Sequence, residues 1–587
     1  MKYLLVAVNA KYIHSNLAVY SLKAYAEKYA KKQALEHVEI EIAEYTINQY
    51  SEEILRDIYI RKPDAIGFSC YIWNISMIQD IIADYKKISP CTDIWAGGPE
   101  VSYNMEEVLK QSSAVDYIMY GEGEEIFKEV INAYGTGNLE KTLTDIRGLA
   151  YRENRDIKVN PPMPLVDLSA IPFVYHHMED FENKIIYYET SRGCPYSCSY
   201  CLSSVEKKLR FRSIDLVKEE LKFFIDHKTA QVKFVDRTFN CNHRHAMEIW
   251  KFIRENDNGV TNFHFEIAAD IITDEEIRLI STMRRGLIQL EIGVQSVNNE
   301  TLTAINRKTA IEKIADVTKR IKKVGNIHQH LDLIAGLPFE DYASFAHSFN
   351  SVYAMKPDQL QLGFLKVLHG SEMELRAEAF GIVYSDKPPY EVLKTKWLDY
   401  DEILCLKMIE NVVEIYYNSF QFANTIGYLE DEFNSAFSMF ESLGKHYYEK
   451  SSNGEKHSRV ARYEILLDFI REHRKNNKKR SGKWTDNLSY EQLLTLDFYL
   501  RENAKTRPAF APDISGYKNV IRNFYKSETA REILPDYGNY DSRQLEKMTH
   551  MEVFVDSYGS LRYVLFDYKN KDLIKKEAKV QIIDIKG

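Results

Sequence analysis

The sequence is sparing with the residues that punctuate or staple a chain. In 587 residues there are 25 glycines, 15 prolines and seven cysteines. So little Gly and Pro, beside 40 Tyr and 28 Phe, excludes a disordered or fibrous chain. No apolar run reaches the ~18–20 residues needed to span a bilayer, so no membrane role is expected. The opening MKYLLVAVNA has one lysine and a short apolar run without a small-residue cleavage site, and reads as a buried first strand. Seven cysteines are too few and too odd for a disulfide framework, which points to a reducing cytoplasm. Charge is nearly balanced, at -9 overall, but unevenly spread. Residues 451–587 carry 26 basic and 20 acidic side chains, against 51 and 66 before them, so a mildly basic end follows an acidic body.

What is present is strand–helix alternation. Strands are predicted at Tyr3–Val8, Ala65–Cys70, Asp93–Ala96 and Tyr117–Tyr120, with helices such as Asn16–Lys32 and Ile75–Lys87 between them. This pattern predicts an α/β fold with a Rossmann-like (flavodoxin-like) parallel sheet over residues 1–150. Two strands run into glycine turns, Gly97-Gly98-Pro99-Glu100 and Gly121-Glu122-Gly123-Glu124. Ligands of such sheets sit beyond the carboxyl ends of the strands. Prolines 161, 162, 164 and 172 mark residues 151–184 as an extended linker. From 185 to 388 a second series has strands at Ile185–Thr190, Gln231–Val235, Phe263–Ala268, Ile288–Gly293, His328–Ile334 and Gln359–Leu365. Six βα units predict a partial (β/α)6 barrel of the TIM type. Residues 389–587 read as a mostly helical accessory domain ending in short strands.

Three of the seven cysteines, Cys194, Cys198 and Cys201, fall on one loop after a strand, spaced C-x3-C-x2-C. Three thiolates so close repel unless a metal centre neutralises them, and soft thiolates select iron–sulfur or zinc. Structural zinc normally takes a fourth protein ligand, and only His176 and His177, upstream in the linker, lie near. Cys241, near the end of the second strand, reads as a small core residue or an active-site thiol.

The segment Cys194-Pro195-Tyr196-Ser197-Cys198-Ser199-Tyr200-Cys201 resembles the radical S-adenosylmethionine (SAM) superfamily, with Tyr200 as its aromatic position. The resemblance implies a [4Fe-4S] cluster on the three cysteines and a fourth iron chelated by SAM, whose reductive cleavage gives methionine and a 5'-deoxyadenosyl radical. Gly293-Val294-Gln295-Ser296, Arg307 twelve residues after Gln295, and Asp332-Leu333-Ile334-Ala335-Gly336-Leu337-Pro338 resemble the subgroup of coproporphyrinogen dehydrogenase. It implies SAM contacts from Tyr200, Asp236, Glu266, Gln295, Ser296, Arg307 and Asp332. A guanidinium fork suits the SAM carboxylate, and carboxylates suit its amine and ribose. The second strand departs from the superfamily's glycine-rich turn, reading Val235-Asp236-Arg237-Thr238, so Asp236 is the candidate there.

A parallel sheet ahead of such a barrel resembles a cobalamin (B12)-binding-domain-containing radical SAM protein with an uncharacterised C-terminal domain. That likeness implies cobalamin contacts from Ser69, Gly97, Gly98, Pro99, Gly121, Glu122 and Gly123. His14 lacks the Asp and Gly that accompany a cobalt-ligating histidine, which implies base-off binding. Methylthiotransferases hold a second cluster in this region, whereas this sheet has only Cys70 and Cys91. The function implied is a radical SAM methyltransferase acting at an unactivated carbon, served by a flavodoxin or ferredoxin. Its substrate would be a small molecule or RNA, and the alternatives are a non-methylating radical rearrangement or cyclisation using cobalamin, and an RNA-binding protein with a structural metal. The RNA reading rests on the cations of residues 471–483 beside Trp484.

Overall fold

The structure is a computed structural model that describes residues 1–153, 156–450, 457–473 and 484–585. The first sheet has strands β1 (Lys2–Asn9), β2 (Glu39–Thr46), β3 (Ala65–Ser69), β4 (Asp93–Gly97), β5 (Tyr117–Met119), β6 (Leu149–Glu153) and β7 (Asp156–Val159), in the order β2-β1-β3-β4-β5-β6-β7. The strands β1 to β5 are parallel, while β6 and β7 add antiparallel edges. Seven of the eight residues of β1 are buried because both faces of the sheet are covered. Leu4, Val6 and Val8 pack toward Ile78, Ile82 and Tyr85, while Tyr3, Leu5 and Ala7 pack toward Val19, Phe127 and Val130. Each such fully buried aliphatic side chain contributes about 2 kcal/mol.

The proline-rich stretch starts later than its sequence suggests, since residues 151–153 and 156–159 belong to β6 and β7. Beyond them, carbonyls freed by the prolines are taken by the chain they cross. Pro161 accepts from Gly148 N, Pro162 from Arg147, and Leu168 and Ile171 from Arg212.

The second sheet continues with β8 (Ile186–Tyr188). A two-stranded ribbon follows, β9 (Ser191–Arg192) with β10 (Arg210–Phe211), and then come β11 (Gln231–Phe234), β12 (Asn262–Ile267), β13 (Ile288–Gln295), β14 (His328–Ala335) and β15 (Gln359–Phe364). The six-stranded order is β15-β14-β13-β12-β11-β8, which is the predicted βα series. Along β13 and β14 burial alternates strictly, as expected when one face meets helices and the other a lumen. Short strands β16 (Val383–Tyr384) and β17 (Val392–Lys394) form a second ribbon.

By internal packing the chain divides into two units. One holds Met1–Ile327, Ile334–Asp341 and Gly363–Asp399; the other holds His328–Leu333, Tyr342–Leu362 and Tyr400–Gly587. In the second unit, Phe349 and Tyr353 of one helix meet Phe437 and Phe440 of another. It ends in the antiparallel strands β18 (Thr549–Val555), β19 (Leu561–Asp567) and β20 (Lys579–Ile583). Among the described residues no helix is long and apolar enough to cross a membrane.

Asp497 fixes the helical part of this unit. Its fully buried carboxylate caps the helix Ala423–Leu429 from outside, accepting from the Asn424 and Thr425 amides, Asn424 Nδ2 and Thr425 Oγ1. Burial pushes its carboxyl up to about 6, against the pull of those donors. A raised folded pKa means the native state holds a proton that the unfolded chain releases, so this group's contribution falls as pH rises from about 4 to 6. Asp497→Asn removes that titration. The stability of the native chain relative to the variant is therefore expected to be about 2 kcal/mol greater at pH 4.5 than at pH 7.5, as read by urea denaturation.

Candidate active site

The three cysteines sit on a loop bounded by β9 and β10. It enters at Gly193, whose φ of +95° and missing side chain are both required, since a Cβ there would lie 2.6 Å from the Lys208 carbonyl oxygen. Two main-chain bonds pin the loop. Ser199 N donates to the Ile305 carbonyl at 3.0 Å, and Met373 N donates to the Ser199 carbonyl at 2.7 Å. Cys194 and Cys198 are buried and Cys201 is partly so; all three are free thiols. Burial pushes the Cys198 thiol up, while the Arg307 guanidinium pulls it down, with Nη1 3.6 Å from the sulfur.

Arg307 ties this loop to the fourth barrel strand. Its Nη2 donates to the Gly293 carbonyl, and its buried Nε has no hydrogen-bond partner among the described residues. Gly293 is glycine for a local reason: a Cβ would lie 2.3 Å from Gln295 Nε2 and 3.4 Å from Arg307 Nη2. Gln295 itself has φ +73°, in the left-handed region. The structure thus brings Cys198, Tyr200, Gly293, Gln295 and Arg307 to one place. Tyr200 lies within the fields of Arg307, Cys198 and Cys201, and burial raises its phenol.

Two expected SAM contacts are engaged within the chain. Asp236 is fully buried and spends its acceptors on Thr190 N, Thr190 Oγ1 and Ser191 Oγ, at 3.0, 2.6 and 2.6 Å. Burial raises its carboxyl to about 6. Its work is to lock the end of the first barrel strand, just before the cysteine loop. Ser296 is also fully buried, donating to Glu340 Oε1 at 2.7 Å and accepting from Asn298 N. Glu266 stands half-buried on β12, opposite Glu291 in register. Asp332 lies on β14 in the second unit, 2.9 Å from His330 Nε2. Cys241 is half-buried, its thiol pushed up to about 11 by burial first and then by the nearby Asp236 and Cys194 charges.

At the sheet edge, Gly121 has φ +84° and nothing within 4 Å of where a Cβ would stand, so this turn leaves an open cradle. Ser69 accepts from Asn16 Nδ2, and Gly97 and Pro99 flank Gly98 at the end of β4. Three expected cobalamin contacts are constrained by neighbours within the chain. Gly98 is glycine because the Cys70 carbonyl would lie 2.5 Å from its Cβ, and Gly123 because Leu22 crowds it at 2.9 Å. Glu122 gives its carboxylate to Arg210, the Val166 amide and Arg192. His14 stands 2.5 Å from the Tyr187 hydroxyl, its Nδ1 already engaged.

Other groups escaped the sequence reading. Tyr71 and the exposed Trp73 stack at 4.4 Å just beyond β3. In the lumen, Lys233 Nζ and His264 Nε2 converge on Glu291 at 3.2 and 3.0 Å. Charged residues alternating through predicted strands were the available signal. Of the basic run, residues 474–483 lie outside the described residues, and Trp484 makes a T-shaped contact with Phe554 at 5.6 Å.

The donor set fits the groups the sequence implied. Three free thiols on one loop suit an iron–sulfur cluster, the unpartnered Arg307 Nε suits a carboxylate, and the Gly121 turn, facing open space, leaves room for a ligand. Family models agree. The B12 binding domain matches residues 3–131, the Radical SAM superfamily residues 188–352, and a protein of unknown function (DUF4080) residues 378–577. The chain thus carries, in order, the domains of a B12-binding radical SAM protein followed by a domain of unknown function. It is 26% identical to the uncharacterized methyltransferase PH0819 of Pyrococcus horikoshii, over 47% of this chain and 61% of that one. It is 25% identical to the cobalamin-dependent radical SAM methyltransferase TokK of Streptomyces tokunonensis, over 50% of this chain and 45% of that one. The alignments thus span 61% and 45% of these curated relatives' lengths. The fold matches the cobalamin-dependent S-adenosylmethionine radical enzyme OxsB with a TM-score of 0.60, at 15% identity, covering 85% of this chain and 79% of that one.

Gly293→Ala is expected to displace Gln295 and Arg307 while leaving the cysteines in place. Iron content after reconstitution should stay at the wild-type level, and SAM affinity measured by equilibrium dialysis should fall by about tenfold, a loss of 1.4 kcal/mol.

Proposed function

We propose that this chain is a cobalamin-dependent radical SAM methyltransferase that places a methyl group on an unactivated carbon of a small molecule. The observation that carries the reading is the Arg307 guanidinium. It reaches from the Gly293 carbonyl to the Cys198 sulfur and keeps a buried, unpartnered Nε beside the cysteine loop.

Bound [4Fe-4S] supplies the electron that splits SAM into methionine and a hydrogen-abstracting radical, and bound cobalamin supplies the methyl group. The chain's own residues do the rest. Cys194, Cys198 and Cys201 would hold the cluster. Arg307 would take the SAM carboxylate with a charge-assisted bond, and Gln295 and Glu266 would receive its polar groups. Asp236 holds Thr190 and Ser191 so that the loop enters from a fixed point. Ser69, Gly97, Pro99 and Gly121 form the edge that receives cobalamin. In this reading residues 1–150 are the cobalamin domain, 185–388 the barrel, and 389–587 the part that selects the substrate. The setting is the reducing cytoplasm, and a low-potential flavodoxin or ferredoxin donates the electron.

The anaerobically reconstituted full chain, given SAM, hydroxocobalamin and dithionite, is expected to release 5'-deoxyadenosine and to retain one cobalamin through gel filtration. A product heavier than its substrate by one CH2 marks methylation; no gain in mass marks rearrangement. A chain that binds the cluster and cleaves SAM but retains no cobalamin rejects the methyl-transfer half, and a chain that releases no 5'-deoxyadenosine rejects the radical half.

A further inference from the structure

We propose that Arg192 and Arg210 form, with Glu122 and Glu124, an ion-pair clasp that positions the cysteine loop against the cobalamin edge and makes binding at either place felt at the other. The inference rests on the cobalamin reading above and adds to it a set of positioning residues.

Four observations lead to it. First, Arg192 and Arg210 are register partners on β9 and β10, the two strands that close the loop carrying all three cysteines. Partners in register on an antiparallel pair point to the same face, so both arginines leave the ribbon together. Second, both end on one turn of the first sheet. Arg192 Nη2 lies 2.8 Å from Glu124 Oε1, and its Nη1 lies 3.5 Å from Glu122 Oε2. Arg210 holds both oxygens of Glu122, with Nη1 3.0 Å from Oε2. Third, that turn is the one in which Gly121 faces open space. Fourth, the side chains are poorly hydrated: Glu124 is 7% exposed, Arg210 12% and Arg192 23%. Ion pairs at this depth are screened far less than surface pairs, and the guanidinium fork makes them directional.

The loop between β9 and β10 has only one short turn of regular structure, Leu202–Ser204. Its orientation is therefore inherited from its ends and from the two main-chain pins at Ser199. Arg192 is also contested. Glu189, on its own segment, holds its Nε at 2.9 Å and its Nη2 at 2.7 Å, while Glu122 and Glu124 approach from the turn. A guanidinium shared by three carboxylates can shift its weight between them, and a ligand that moves the turn at Gly121 shifts that balance two residues from Cys194. The geometry supplies a contiguous chain from one cofactor edge to the other, the physical requirement for coupling.

The test reads linkage in the full chain. Hydroxocobalamin is titrated by absorbance into protein whose cysteine loop is either loaded with iron and sulfide or metal-free. In the wild type the two affinities should differ by about fivefold or more, the lower end of measured coupling factors. In Glu124→Gln and Arg192→Gln the ratio should fall to within about twofold of one, and the charge swap Glu124→Arg/Arg192→Glu should restore most of it. A ratio near one in the wild type, or an unchanged ratio in both single variants, overturns the clasp. Should the variants fail to fold, hydrogen exchange of residues 187–212 in metal-free wild-type chain decides. Exchange is expected to slow when hydroxocobalamin is added, and an unchanged rate overturns the proposal. Wild-type chain that takes up no hydroxocobalamin in either state instead removes the cobalamin reading on which the clasp rests.

Discussion

A single buried carboxylate sets the geometry on which the site depends. Asp236 has no access to water, and it stays in the fold because Thr190 and Ser191 close on it with three hydrogen bonds. Those bonds join the carboxyl ends of two adjacent barrel strands at the point where the chain leaves regular structure. The cysteine loop, from Arg192 onward, enters from this point and is pinned again at Ser199. His245 Nε2 touches Thr190 Oγ1 at 3.2 Å, and burial pushes its imidazole down to about 4, so the second layer is neutral. A charge held by neutral donors on one side and by the helix-bearing barrel wall on the other leaves little freedom to the backbone it binds.

Around that anchor the unit is organised by guanidinium groups. Arg212 pairs with buried Glu220 and reaches two linker carbonyls, Arg210 and Arg192 reach the GEGE turn, and Arg307 reaches Cys198. Each does what a lysine cannot, since each serves two or more acceptors at fixed angles. The proline-rich segment is held by the same groups, which explains how a stretch with only two short 3-10 turns, Leu168–Ala170 and Met178–Phe181, keeps one path.

Much of this was legible beforehand, and the limits have physical causes. The strand–helix series was readable because parallel strands covered on both faces give continuous apolar runs. The exception is β2, where Glu39-Ile40-Glu41-Ile42 alternates at a sheet edge and hides among polar residues. The cysteine spacing and the Gln295–Arg307 interval were readable because both are local. The roles of Asp236, Ser296, Glu122 and Gly98 were not, because each is decided by a partner distant in sequence: Thr190, Glu340, Arg210 and Cys70. A glycine beside a strand announces a tight approach but not whether a ligand or another stretch of backbone makes it. The C-terminal part offered no motif, since Asp497 and its helix cap are 72 residues apart.

The barrel wall carries one more implication. Lys233, His264 and Glu291 face the lumen in mutual contact, and all three keep part of their surface exposed. Charges so placed remain hydrated, so this part of the wall is polar rather than greasy. A molecule bound beside them must offer polar groups in place of their hydration. Selectivity at this depth then follows from the match of polar groups, and bare apolar bulk gains little there.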